Sequence, residues 1–206
     1  MAEADYGALL ADADESTPRM ILDAAVEEMA ARGYAGTAVR DVAARVGSSP
    51  GLIYHHFGSK HDLLAVLLKR GIDRLVRETE DALLDAGTDP AERLRAIVAA
   101  HVLAHTERQR ESLLGNSELR SLEPSARALI VSSRDTQQRM FDRVVADGVK
   151  RAVFTTPLPT EAARSVVSAC TAVATWFRPG GAPSATEIAR RYQRVALDTV
   201  GHREST

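Results

Sequence analysis

A chain of 206 residues, 45% hydrophobic and 4% aromatic, is long enough for one large or two small domains with a real core. Its formal net charge of −2 gives no bulk support for nucleic-acid binding, and no apolar run approaches the ~18 residues of a membrane span. The start lacks the basic-then-apolar layout of a secretory signal, and the single cysteine, Cys170, cannot form an internal disulfide, so a cytoplasmic protein without a membrane partner is expected.

Residues 1–15 hold Glu3, Asp5, Asp12, Asp14 and Glu15 and no Lys or Arg, which predicts a mostly disordered acidic arm with Leu9 and Leu10 as the residues able to dock locally. From there on the apolar spacing is helical throughout. Thr17 and Pro18 are a cap-and-proline start, Ile21, Ala25 and Met29 share a face, and Gly33 closes the first helix. A short helix follows Thr37, buries Val39, Val42, Ala43 and Val46, and ends at Gly47. Ser48-Ser49-Pro50 restarts the chain as a third helix to about His56, and Gly58 breaks it. Ser59 and Asp62 are spaced as a capping box for a long helix to about Ala86.

Gly87 to Pro90 is a break, after which a helix carries Leu94, Ile97, Val98, His101, Val102 and His105. A short helix is expected between Gly115-Asn116 and Glu123-Pro124, then a long one from Pro124 to Arg151, a loop over Thr155–Pro159, and two last helices at about 160–177 and 184–201. The expected architecture is all-α, about nine helices. The arm at 1–15 precedes a domain of short helices with a helix-turn-helix pattern at 16–60, and 61–206 form a longer all-helical domain.

Residues 17–60 carry five basic and four acidic side chains, a net of +1, so a case for DNA rests on local pattern. A helix entering the major groove needs a small-residue tip, and Ser48, Ser49, Pro50 and Gly51 supply one, with hydroxyls able to meet phosphates or base edges. Tyr54 and His55 follow one turn later, Thr37 could cap the preceding helix and offer its hydroxyl to a phosphate, and Lys60 places a cation at the rim.

The stretch TAVRDVAARVGSSPGLIYHHFGSKHDLL, Thr37 to Leu64, resembles the signature of TetR-family regulators in nearly every marked position, over about a quarter of the chain. One departure is Ser48, where the family commonly has an apolar residue. The resemblance implies a three-helix DNA reader and an all-helical domain that binds a small effector and dimerises through its last two helices. It implies DNA contacts from Thr37, Ser48, Ser49, Gly51, Tyr54, His55 and Lys60. It also implies a double-stranded palindromic operator bound by a homodimer, release by a small-molecule effector, and, by family habit, repression.

Polar or aromatic residues on otherwise apolar faces are candidates for the effector pocket: His101, His105, Asn116, Arg120, Arg139, Phe141 and Trp176. The His101–His105 spacing would suit a metal, but no acidic or cysteine partner accompanies it, and no metal or cofactor is expected. The segment from Thr175 to Tyr192 is similar to the matching region of family members that sense coenzyme A thioesters of fatty acids or steroids. Arg134, Arg139, Arg143, Arg164 and Arg178 would be available for the phosphates of such a ligand. The expected dimer face comprises Val166, Cys170, Val173, Ala174 and Phe177 with Ile188, Tyr192, Val195 and Thr199. Two rival classes are weaker. An enzyme would need a phosphate loop, a paired-carboxylate site or a Cys–His arrangement, none of which stands out. An effector-independent DNA-binding protein would be shorter and more basic.

Overall fold

The computed structural model describes residues 5–13 and 15–203. Among them are ten α-helices: α1 (Tyr6–Ala11), α2 (Ser16–Gly36), α3 (Val39–Val46), α4 (Pro50–Phe57), α5 (Lys60–Asp85), α6 (Pro90–Glu107), α7 (Gln109–Ser117), α8 (Pro124–Lys150), α9 (Pro159–Trp176) and α10 (Ala185–Thr199). A 3-10 turn, Glu118–Ser121, separates α7 from α8. No helix among the described residues is long and apolar enough to cross a membrane.

The expected disordered arm is corrected. The Asp5 side chain caps α1, accepting from the amides of Gly7 and Ala8 at 3.0 and 3.2 Å. The Tyr6 hydroxyl donates to Asp62 Oδ1 at 3.1 Å, Ala13 is buried, and Leu9 and Leu10 pack on the same core. Residues 1–4 and Asp14, which the expectation also covered, lie outside the described residues. The second correction concerns α7, which runs unbroken through Gly115 and Asn116, so that only the 3-10 turn fills the place given to a short helix. The third is at Thr17, which lies inside α2, one residue after its start.

The chain divides into two compact units. Unit 1 comprises the residues up to Asp73 with Arg110–Ser132, and unit 2 comprises Arg74–Gln109 with Ser133 onward, so α5 and α8 each contribute to both. The expected cut at residue 60 falls inside unit 1, because Leu63, Leu64 and Leu67 at the head of α5 share the core of α2–α4.

Unit 1 is built on an apolar core of Ile21, Leu22, Ala25 and Met29 from α2, Val42 and Ala43 from α3, Ile53 and Phe57 from α4, and Leu63, Leu64 and Leu67 from α5. Leu114, Leu122 and Ile130 join it. Burying side chains of this size contributes about 1.5–3 kcal/mol each, which is what holds two eight-residue helices in place. An ion-pair cluster covers one side: Glu28, almost buried, meets Arg45 Nε at 2.7 Å and Arg32 at 3.2 Å.

In unit 2, α6 packs against α9 and α10. Leu94, Ile97, Val98 and Val102 of α6 meet Phe141, Val144 and Val145 of α8, Val166, Cys170 and Val173 of α9, and Ile188, Ala196 and Leu197 of α10 in one core. Polar links close the ends. Gln109 Nε2 donates to the carbonyls of Ala174 and Phe177, at 2.8 and 2.7 Å, where α9 stops. The amides of Thr155 and Thr156 donate to Val200 O, tying the loop before α9 to the end of α10.

Candidate DNA-reading surface and buried polar centre

The reader is positioned by two local stops and by the caps that follow them. Gly33, at φ 73°, interrupts α2, and the chain turns into α3 through Thr37 and Ala38. The Asp41 carboxylate accepts the Ala38 amide at 2.9 Å, so the cap of α3 comes from inside the helix. At the other end Gly47 is left-handed, and the amides of Gly47 and Ser48 donate back to Ala44 O and Ala43 O at 3.2 and 2.9 Å. That pair of bonds makes the tight turn into α4, which opens on Ser49 in an extended conformation and Pro50 at the first helical position. Ser59 and Asp62 form the capping box at the head of α5: the Asp62 amide donates to Ser59 Oγ at 3.0 Å.

Ser49, Gly51, Tyr54 and His55 are exposed on α4, Tyr54 at 50%, while Ile53 and Phe57 of the same helix point into the core. The helix therefore has a buried face and a free face, and the free one carries four of the seven residues expected to meet DNA. Ser48 is half-buried, and its hydroxyl has no hydrogen-bond partner in the structure. Lys60 is half-buried with its ammonium 4.2 Å from the centre of the Tyr34 ring, a cation–π contact. Partial burial pulls the Lys60 pKa down, opposed by Asp41 and Glu118.

Thr37 departs from its expected role. It is 2% exposed and ends α2, and its hydroxyl faces the carbonyls of Gly33 at 2.8 Å and Glu28 at 3.2 Å. The side chain turns back into its own helix, so it neither caps α3 nor presents a hydroxyl outward. A residue passed over in the sequence is Arg40, whose side chain is 83% exposed in the first turn of α3. Its signal was available: it stands between Val39 and Val42, on the side of α3 away from the core.

Unit 2 brings together three of the seven pocket candidates. The His101 and His105 rings stack in parallel, 4.4 Å between centroids, and Phe141 stands edge-on to His101 at 5.8 Å. All three are buried. The histidines belong to a polar centre in which Gln137 of α8 donates through Nε2 to Thr79 Oγ1 of α5 at 2.8 Å and lies 3.3 Å from His101 Nδ1. His101 Nε2 reaches Thr171 Oγ1 of α9 at 2.9 Å, and His105 Nδ1 donates to His101 O at 2.8 Å. With the Gln137 nitrogen facing Nδ1, His101 carries its hydrogen on Nε2. Burial, and then the neighbouring His105, push the His101 pKa well below its usual value. Burial also lowers His105, against the hydrogen bond to His101 O and together with Arg108 and Arg134. Among the described residues no group of His, Cys, Asp and Glu is placed to hold a metal.

The other candidates lie elsewhere. Arg139 is exposed and donates to Thr136 at 2.7 Å, Trp176 is 47% exposed against Tyr192, and Asn116 and Arg120 are exposed residues of unit 1. Of the arginines considered for phosphates, Arg139, Arg143, Arg164 and Arg178 are exposed and Arg134 is half-buried, its pKa lowered by burial. Gln137, Thr79 and Thr171 were missed in the sequence. Their signal is a polar side chain on an apolar stripe, as in Gln137 one turn before Phe141.

The expected dimer face is corrected at Val166, Cys170, Val173, Ala174 and Ile188. All five are buried inside a single subunit, in unit 2. An internal core stripe and an interface stripe have the same helical period, and here the core claims it. Phe177 and Tyr192 are half-buried, whereas Thr199 is exposed and Val195 is 51% exposed.

Residues 21–67 match the family described as "Bacterial regulatory proteins, tetR family", and residues 87–200, more than half of the chain, match "Tetracyclin repressor-like, C-terminal domain". The chain belongs to the TetR family of transcriptional regulators. The HTH-type transcriptional repressor KstR2 of Mycobacterium tuberculosis (strain ATCC 25618 / H37Rv) is 29% identical over 179 residues, 86% of this chain and 89% of KstR2. Its solved structure, described as that of a ketosteroid transcriptional regulator, superposes with a TM-score of 0.80 at 25% identity, covering 99% of this chain and 98% of KstR2. A TetR-family regulatory protein from Rhodococcus RHA1 gives a TM-score of 0.85 at 30% identity, covering 90% of this chain and 97% of that one. AibR, solved in complex with isovaleryl coenzyme A and operator DNA, shares the fold at 24% identity and a TM-score of 0.79, over 90% of this chain and 98% of AibR.

Proposed function

We propose that this TetR-family regulator is a cytoplasmic repressor that binds a palindromic operator as a homodimer and releases it when a small effector occupies unit 2. The observation that carries the reading is the free face of α4, where Ser49, Gly51, Tyr54 and His55 stand exposed on a helix otherwise fixed in the core. A helix so held can lie in a major groove, with its amino-terminal end against phosphates and its side chains at base edges. Arg40 adds a cation on α3.

The effector side of the proposal rests on the polar centre, a set of buried groups that a purely structural core would not require. Its class is a coenzyme A thioester or the lipid acid from which one derives. A ketosteroid regulator is 29% identical over most of this chain, and the fold accommodates isovaleryl coenzyme A in AibR. The helix α5 carries both the Ser59–Asp62 cap beside the reader and Thr79 at the polar centre. An effector that favours one setting of α5 over another would thereby bias the reader. The dimer face on this reading is the outward side of α9 and α10, with Ala172, Trp176, Tyr192 and Val195.

The test combines anisotropy on DNA from upstream of the gene with calorimetry against a panel of acyl coenzyme A esters. The expected result is operator binding that is palindrome-specific and lost on adding one member of the panel. Salt-sensitive but sequence-indifferent binding would contradict the repressor. No binding of any panel member at tens of micromolar would contradict the effector class, and a monomer by light scattering would contradict the dimer.

A further inference from the structure

Gln137 is 3% exposed, and its side-chain oxygen has no hydrogen-bond partner among the described residues. Its nitrogen is held on two sides. One N–H donates to Thr79 Oγ1, whose own hydrogen goes to Leu75 O at 2.8 Å. The other faces His101 Nδ1, and the ring passes its single hydrogen on to Thr171. Four helices thus fix the amide, and the one valence left over is the acceptor Oε1. A buried amide oxygen without a protein donor is an acceptor that a bound group with a hydrogen to give would stabilise.

The surroundings select what that group can be. Phe141 and the stacked rings of His101 and His105 are the aromatic neighbours of this amide. None of Thr79, His101, His105, Gln137 and Thr171 carries a carboxylate, so an ammonium would find no counter-charge. With Oε1 outward, a carboxylate would set its oxygens against it and be drawn instead to Arg108 and Arg134 beside His105. A ketone or ether, accepting only, would find a hydrogen only if the amide turned over. A hydroxyl donates. Turned over, the amide would offer an N–H instead, and a hydroxyl accepts that as well.

We propose that unit 2 takes an effector whose buried, otherwise apolar end carries a neutral hydroxyl, and that this hydroxyl bonds to the side-chain amide of Gln137. The inference rests on the reading that unit 2 receives a small effector, and it specifies the chemistry of the inner end. In a thioester effector the hydroxyl would sit on the acyl part.

The experiment uses the full chain and three probes of one shape, cyclohexanol, cyclohexanone and cyclohexane, ranked by ligand-observed NMR and thermal shift up to the solubility of each. Cyclohexanol is expected to bind roughly three- to tenfold more tightly than the other two. In Gln137→Leu, or the unbranched Gln137→Met, the preference is expected to fall below roughly twofold, with the helical circular dichroism retained. If both variants unfold, the ranking on the unaltered protein decides. No binding of any probe, equal binding of all three, or a preference that survives both variants overturns the inference. An alcohol preference without acyl coenzyme A binding would overturn only the thioester class. Operator release by a thioester with no hydroxyl, with no alcohol preference, would overturn only the role of Gln137.

Discussion

The hydroxyl of Thr37 lies 2.8 Å from the carbonyl oxygen of Gly33, the residue whose left-handed backbone bends the end of α2. This contact fixes the corner from which α3 and α4 are launched. Thr37→Val keeps the shape and removes the hydroxyl hydrogen that the Gly33 and Glu28 carbonyls share, so unfolding free energy is expected to fall by about 1–2 kcal/mol in urea titrations. Thr37→Ser should recover most of that loss. Operator affinity of the folded variants should stay within roughly threefold. A large loss of affinity at unchanged stability would mean that the hydroxyl faces DNA after all.

Tyr54 predicts the opposite division. Half of it is exposed, and it is not among the side chains packed on the core of unit 1. Tyr54→Ala is expected to leave the melting temperature nearly unchanged while weakening operator binding by about 1–3 kcal/mol, roughly ten- to hundredfold. Unchanged anisotropy titrations would remove Tyr54 from the DNA surface.

The stacked histidines set a pH dependence. Both have pKa values below their ordinary 6.5 in the fold, His101 well below. Below about pH 6.5 the unfolded chain therefore binds protons that the folded chain refuses, and stability falls as pH falls. The limiting slope is about 1.4 kcal/mol per pH unit for each histidine, until the lowered folded pKa is reached. Denaturation midpoints between about pH 7.5 and pH 5 measure it, and His105→Gln should make the curve shallower. A flat profile would show that the pair takes up protons without cost.

Gly148 and Phe154 give a packing test. A Cβ at residue 148 would stand 2.0 Å from Phe154 Cδ2, well inside contact distance. Phe154 is fully buried, and its amide donates to Gly148 O at 3.1 Å, so the ring has no easy retreat. Gly148→Ala is expected to destabilise by about 1–3 kcal/mol, despite alanine's better helix propensity. A more stable variant by calorimetry would mean that the ring moves freely.

Helices α2 to α4 were legible in the sequence because their stops are local: Gly33, Gly47 and Gly58 all take positive φ, and Pro50 opens α4. Two readings failed and one residue was missed, each where a tertiary or backbone partner decides. The N-terminal helix α1 is only six residues long and is held by Tyr6 reaching Asp62, 56 positions away. Thr37 has the side chain of a cap, and only the bend at Gly33 turns it inward. Gln137 meets Thr79 and His101 across 58 and 36 positions, separations that no helical period records. The stripe of Val166, Cys170 and Val173 was visible as a stripe, but periodicity does not say whether the opposing surface belongs to the same subunit or to another. Burial within the subunit explains the Cys170 thiol as well, whose pKa is pushed up to about 12.

Trp176 is the one tryptophan of the chain, and it closes α9 with its ring 6.3 Å from that of Tyr192 and tilted by 29°. Indole emission from the whole protein consequently arises from a single surface locus. Pairing of two copies across that locus would dry the indole and shift its emission to shorter wavelength. Dilution followed by fluorescence would then give the association constant without any label, a dye on the DNA leaving that channel free.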